Sequence, residues 1–241
     1  MDELAWLGAI RHGESEGNVA AQRAEASGAD RVDIDLPDAG VPLTATGREQ
    51  SAAVGRWLAG LPVHDRPDVV IASPFKRAEQ SAAVAVAVAS SAGVALRLLL
   101  DERLRDREHG VLEGLTRRGI EATQPGEAAR RRRDGHFYYR PPGGESWADV
   151  ALRLRSALGD LRREYHDQRV LLFTHDAVML LLRYLIERLT VEHLTGLAAT
   201  GLDNACLTAW SRTDGGLHLV CHNDTGHLTG QGAPQTRQRE A

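Results

Sequence analysis

The chain has two cysteines and two methionines among 241 residues, and aromatic residues make up only 5% of it. Two thiols, Cys206 and Cys221, are too few for a disulfide framework or for a zinc site of their own. Both lie in late apolar segments and read as small hydrophobic residues of a reducing compartment. An excess of basic charge is also missing: 29 Lys and Arg against 33 Asp and Glu leave a formal net charge of -4. That argues against nucleic acid as a partner, which needs a basic footprint; only the run Arg130-Arg131-Arg132-Arg133 cuts the other way. No stretch approaches about 18 apolar residues without charge, so no membrane span is expected. The opening MDELAW lacks the basic and long apolar stretches of a secretory leader. The expectation is a cytoplasmic protein with neither a nucleic-acid nor a membrane partner.

What is present is alternation. Short apolar, β-branched runs at residues 5–10, 68–72, 94–99, 169–173, 205–210 and 217–222 are interleaved with helical stretches at 46–59, 74–90, 147–166 and 177–189. That order predicts an α/β fold with a mostly parallel central sheet. Residues 83–88 read Ala-Val-Ala-Val-Ala-Val, a period of two that favours a strand. Ser73-Pro74 ahead of the run resembles an N-cap and first helical residue, and Gly93 follows it, so the segment is assigned to a helix. Residues 115–144 have weak periodicity and predict a short helix followed by an extended loop through HFYYRPPGG. Loops of that length tend to be lids or binding loops. With no repeat and no long linker, residues 1–230 are expected to form one domain and 231–241 a disordered polar tail.

Several apolar runs end in residues suited to holding an anion. The first ends in Ile10-Arg11-His12-Gly13-Glu14-Ser15-Glu16-Gly17-Asn18. If His12 attacks phosphorus, guanidinium donors must already be in place to relieve charge repulsion. The attacking nitrogen must be bare, which histidine meets near neutrality with its reference pKa of about 6.5. Taken alone, Arg-His-Gly is as readily a surface turn. The second run leads into Ser73-Pro74-Phe75-Lys76-Arg77-Ala78, where Arg77 on the first helical turn points back towards the strand end. A third ends in Phe173-Thr174-His175-Asp176. The strand at 94–99 leads into Leu104-Arg105-Asp106-Arg107-Glu108-His109-Gly110, where Asp106 or Glu108 is placed to protonate an ester leaving group. Carboxyl ends of strands are where open α/β sheets bind ligands. The pair Asp33 and Asp35 resembles the DxD of aspartyl phosphatases, but no apolar strand precedes it and it reads as loop.

In this order the segments resemble the histidine phosphatase superfamily, the phosphoglycerate mutase-like family. RHGESEGN is similar to its signature RHGxSxxN, Ser73 to Gln80 to SxxxRAxQ, LRDREHGVLEG to LxExxxGxxEG, and FTHDA to the segment of the second catalytic histidine. PLTATGREQ and Gly143-Gly144-Glu145-Ser146 resemble further landmarks, so the likeness runs over nearly the whole chain. It implies a three-layer α/β/α sandwich. It also implies a catalytic set of His12, Asp106, His175, Arg11 and Arg77, with His12 taking the phosphoryl group and Asp106 as proton donor. Asp176 is a rival acid, because an HD pair supplies the donor in the acid phosphatase and phytase branch. The expected substrate-binding set is Asn18, Ser15, Arg140, Glu145 and Asp176. No metal and no cofactor is implied.

The expected activity is hydrolysis of a small phosphorylated metabolite, with assembly as a homodimer left open. The alternatives are a phosphoglycerate mutase, which needs more basic residues around the pocket (Arg130 to Arg133, Arg140), and a catalytically silent phospho-ligand binding protein. Loss of His12 or of an arginine would mark the last, and neither is lost.

Overall fold

A computed structural model describes residues 3–214 and 216–238. Along the first half run β1 (Trp6–Arg11), α1 (Glu16–Ser27), α2 (Ala45–Gly60), β2 (Val69–Ala72), α3 (Lys76–Ser91) and β3 (Arg97–Leu100). Then come α4 (Arg117–Thr123), α5 (Pro125–Asp134), α6 (Trp147–Glu164), β4 (Arg169–Thr174), α7 (Asp176–Ile186) and α8 (Val191–Ala198). The chain closes with β5 (Leu202–Asp203), β6 (Leu207–Thr213), β7 (Gly216–Asp224), α9 (Gly226–Thr229) and β8 (Arg237–Gln238).

The main sheet has the order β3-β2-β4-β1-β6-β7. Its first four strands are parallel, and β6 and β7 extend it antiparallel. The apolar runs have no polar face because both faces of the sheet are covered. In β4, Val170 and Leu172 pack with Leu154, Leu158 and Leu161 of α6 and Val178 and Leu181 of α7. Leu171 and Phe173 join the opposite cluster, with Ala53, Val54 and Leu58 of α2 and Ala82, Ala85 and Ala89 of α3. The result is the three-layer α/β/α sandwich. Among the described residues, no helix is long and apolar enough to cross a membrane.

The Ala-Val segment is helical, and its packing explains why. Ala78, Ala82, Ala85 and Ala89 are buried at spacings of a single helical face. Opposite them lies Gly55, where a Cβ would meet the Ala85 carbonyl oxygen at 2.5 Å. Small residues on both helices allow this approach. The helix does not start on Pro74: Phe75 takes the capping position, and Ser73 Oγ accepts the Phe75 N–H at 3.2 Å.

Two further expectations are corrected. Residues 115–144 hold two helices, α4 capped by the Thr116 hydroxyl and α5 opened by Pro125, instead of one helix and a long loop. They close over a small core of Leu112, Leu115, Ile120, Ala128 and Tyr139. Apolar density in the segment is enough to fold it locally. In the supposed tail, β8 pairs with β5, and Gln50 Nε2 donates to Pro234 O and Thr236 Oγ1, both at 3.0 Å. Its residues 239–241 lie outside the described residues.

The turn after β1 is clamped by α2 and α3. Gly13 N–H donates to Ser81 Oγ at 3.0 Å, and Glu14 N–H to Gln50 Oε1 at 2.8 Å. Gly47 is in such close contact that a Cβ there would meet Glu14 O at 2.0 Å. Gly47→Ala is therefore expected to push this turn away and cost about 1–3 kcal/mol, read as a lowered Tm in thermal unfolding. An unchanged Tm would mean that the clamp is loose.

Candidate active site

Strand register brings the candidate residues together. Arg11 of β1 lies opposite Thr174 of β4, and Ala72 of β2 opposite Phe173. The residues that follow are His12, His175 and Ser73. They leave the carboxyl edge of the sheet side by side, with β4 and hence His175 in the middle. A cavity of about 910 Å³ lies over this edge, lined by Arg11, His12, Ser15, Asn18, Arg77, Asp106 and Asp176.

His12 is buried, and its Nδ1 lies 2.8 Å from the Gly13 carbonyl oxygen. A carbonyl only accepts, so Nδ1 carries the proton and Nε2 keeps its lone pair. Burial, then the charges of Arg77, His175 and Arg11, hold the His12 pKa well below the usual imidazole range. The ring therefore stays neutral and nucleophilic through mildly acidic solution. Arg11 donates from Nη1 to Leu202 O at 2.5 Å and lies 3.5 Å from Asp176. Its Nε is buried and has no hydrogen-bond partner among the described residues.

Arg77 is held between two carboxylates. Nη1 and Nη2 donate to the two oxygens of Asp38 at 2.9 and 3.0 Å, and Nη2 also donates to Asp106 Oδ2 at 2.7 Å. Burial opposes the charge on Arg77, but Asp106 and Asp38 outweigh it and raise its pKa. Burial would likewise raise the Asp106 pKa, yet His175 and Arg77 hold it well below the carboxylate range. His175 is fully buried, 5.3 Å from the His12 ring centroid. Its Nδ1 lies 3.2 Å from Asp106 Oδ2, and burial keeps the ring neutral against the pull of Asp106.

The catalytic set expected from sequence thus gathers at one edge. Of the substrate-binding set, Ser15 and Asn18 line the cavity while forming the capping box of α1. Asp176 lines it beside Arg11. Arg140 and Glu145 are corrected. Arg140 is exposed and donates to Gly144 O at 3.0 Å, outside the cavity lining. Glu145 is an internal anchor, accepting from Arg105 Nη2 at 2.8 Å and Arg153 Nε at 2.9 Å. Glu108, the other candidate acid, pairs with Arg105 at 3.8 Å and does not line the cavity either.

Sequence reasoning missed Asp38, Ser73, Arg31, Arg107 and His109. Asp38 stands four residues before the Pro42-Leu43-Thr44 landmark. Arg107 and His109 lie in the same LRDREHG stretch as Asp106, where only the carboxylates drew attention. The outer cavity wall mixes Arg31, Arg107 and Arg131 with Val32, Ile34, Leu112, Leu115 and Ile120. Among the described residues, no three His, Cys, Asp or Glu side chains stand together as metal ligands.

Residues 7–225 match the family model of the histidine phosphatase superfamily, branch 1. The chain is 27% identical over 214 residues to glucosyl-3-phosphoglycerate phosphatase of Mycobacterium tuberculosis, covering 86% of this chain and 83% of that one. It is 31% identical over 168 residues to a probable phosphoglycerate mutase of Photorhabdus laumondii, covering 69% and 67%. A solved structure of mycobacterial glucosyl-3-phosphoglycerate phosphatase with VO3 superimposes at a TM-score of 0.70, with 26% identity over 92% of this chain and all of that one.

Because Asp38 occupies the fork of Arg77, an entering anion must displace a carboxylate. Asp38→Asn is expected to tighten inorganic phosphate binding about three- to tenfold, measured as the inhibition constant or by calorimetry. Unchanged or weaker binding would show that Asp38 supports the arginine without competing for it.

Proposed function

The chain belongs to the histidine phosphatase superfamily, and on that premise we propose that it hydrolyses small phosphomonoesters through a phosphohistidine on His12, without a metal ion. The observation that carries this is the His12 ring: Nδ1 is pinned to Gly13 O, leaving Nε2 bare in a cavity shared with Arg11, Arg77 and Asp106.

In the first displacement the Nε2 lone pair forms an N–P bond while the ester P–O bond breaks. Arg11 and Arg77 offset the charge on the phosphoryl oxygens, and Asp106 gives the leaving oxygen its proton. Water then forms a P–O bond as the N–P bond breaks, its proton passing to Asp106, and inorganic phosphate leaves. The first step needs a protonated Asp106, whereas its surroundings favour the ionised form. The proton must therefore enter with the substrate, whose phosphate also offsets the Arg77 charge that, together with His175, keeps Asp106 ionised.

A mutase would hold a bisphosphate with extra cations. Here Arg130, Arg132 and Arg133 pair with Glu127, Glu121 and Asp134 on α5 and its neighbour α4, and do not line the cavity. Three of the four arginines of the run are thus taken up by carboxylates, and the leaving group of a monoester would meet a wall part apolar and part basic, with Arg31, Arg107 and Arg131 on it. The names of the two relatives share a phosphoglycerate, which makes phosphorylated glycerates the class to screen first.

The direct test is turnover of 4-nitrophenyl phosphate after EDTA treatment, together with ³²P labelling of quenched enzyme. Turnover and an acid-labile label, both lost in His12→Ala, are expected. Transfer between phosphoglycerate positions that needs a bisphosphate primer would replace this reading with the mutase. Binding without turnover would replace it with a silent binding protein. Arg77→Ala should lower kcat/KM by about 10²-fold or more, and Asp106→Asn should slow alkyl phosphates more than the nitrophenyl ester. For alkyl phosphates, kcat/KM is expected to fall as pH rises above the substrate's second ionisation near about pH 6. A flat profile up to pH 8 would remove Asp106 from the role of acid.

A further inference from the structure

Ser73 has no part in the chemistry described so far, yet it is fully buried at the sheet edge and its Oγ lies 2.8 Å from His175 Nε2. The direction of that hydrogen bond follows from what else the hydroxyl touches. Ser73 Oγ accepts the Phe75 N–H at 3.2 Å, which uses one lone pair. If His175 Nε2–H also donated to it, the hydroxyl proton would need an acceptor, and His175 Nε2 is the one within reach among the described residues. A buried hydroxyl proton without a partner costs about 1–3 kcal/mol. On the other side of the ring, Nδ1 stands 3.2 Å from Asp106 Oδ2, off the line of a straight hydrogen bond. A lone pair on Nδ1 would face carboxylate lone pairs there, whereas a proton is attracted to them.

We propose that Ser73 is a positioning residue: its hydroxyl donates to His175 Nε2 and so keeps the imidazole proton on Nδ1, the nitrogen beside Asp106 at the cavity wall. The two histidines then carry the same tautomer but present opposite nitrogens. His12 has its proton on Nδ1 because a carbonyl demands it and attacks with Nε2; His175 has its proton on Nδ1 because a hydroxyl fills Nε2, and donates. A neutral ring thereby holds its proton on the side of Asp106 in the free protein, 3.2 Å from Oδ2, and offers it to a phosphoryl oxygen during turnover. The turnover part rests on the phosphatase reading; the tautomer does not.

The test is ¹⁵N–¹H correlation of the imidazole nitrogens in ¹⁵N-histidine-labelled protein, with the His175 signals assigned by their loss in His175→Gln. Wild type is expected to show a protonated Nδ1 and a bare Nε2 at neutral pH. Ser73→Ala leaves Asp106 alone to hold the proton on Nδ1, so a mixture of the two tautomers in place of the single Nδ1–H form is expected, with kcat lowered about 10- to 100-fold, while Ser73→Thr keeps the wild-type tautomer and most of the rate. The variant's pH profile provides a second readout. In the Nε2–H fraction of Ser73→Ala, Nδ1 can donate only from the imidazolium, so the variant's rate relative to wild type should rise as pH falls through the His175 ionisation. The groups facing that ring are Asp106, Arg77, Asp38 and His12, all present in both proteins. A wild-type His175 with a bare Nδ1 overturns the proposal. So does a Ser73→Ala protein that retains the wild-type tautomer and loses rate only in proportion to Tm. Should Ser73→Ala not fold, the wild-type spectrum still decides. If no turnover is found at all, that spectrum separates a failed tautomer assignment from a failed phosphatase reading.

Discussion

The parallel pairing of β1 with β4 is the constraint on which the site depends. It continues past the strands: His12 N–H donates to Thr174 O at 2.9 Å, and Ser73 N–H to Phe173 O at 2.9 Å. Both neighbours of His175 are thus tied to the backbone of the strand that carries it. A slip of one residue would turn His12 to the opposite face from His175. Such a slip is opposed throughout the sheet, because each of β1, β2 and β4 buries alternate residues in two separate clusters. At the far end, Arg169 stacks over Trp6 with its guanidinium carbon 4.9 Å from the ring centroid. Packing across the sheet, and not the site itself, therefore sets where the imidazoles stand.

That placement creates an electrostatic problem which the protein solves with its own carboxylates. Arg11 and Arg77 are both buried, and an uncompensated buried guanidinium is expensive. Asp176 answers the first, and Asp38 and Asp106 answer the second. The histidines stay neutral, since burial outweighs the carboxylate beside His175 and adds to the neighbouring cations at His12. The ion pairs stabilise the empty site and at the same time compete with an entering phosphate. An entering phosphate has to replace a carboxylate on the guanidinium fork and then offsets the arginine charge in its place.

Much of this was legible in the chain because strand ends announce themselves. Arg11, His12, Arg77, Asp106 and His175 each follow or adjoin an apolar run, and parallel α/β topology sends such ends to a common edge. Asp38 was not legible, since an aspartate in a Pro-Asp-Ala-Gly turn looks like any loop residue until the fold brings it to Arg77. Ser73 was read as a helix cap because a Ser-Pro pair fits that role locally; its competing partner is 102 residues away. Arg140 and Glu145 sit in a Gly- and Pro-rich stretch that suggested a binding loop, but Arg105 and Arg153 draw Glu145 inward. The helix α1 was missed for a different reason. Ala24 is its buried residue, so it has little apolar periodicity to detect, and the Ser15–Asn18 capping box starts it.

The four consecutive arginines show how secondary structure limits what a charged run can do. On a helix, successive side chains are about 100° apart, so four of them spread around most of the circumference. Residues 130–133 lie on α5, and of these Arg131 lines the cavity while the others meet Glu127, Glu121 and Asp134. A cluster converging on a second phosphate would have to come from an extended loop or from residues three and four apart. The run therefore contributes one guanidinium to the substrate side of the pocket. Arg31 and Arg107 reach the same wall from other segments, interleaved with Val32, Leu112 and Leu115. On the proposed function, the leaving group would meet the segments on either side of Arg77, α4 and α5 included, while the sheet edge would carry the chemistry common to any phosphomonoester.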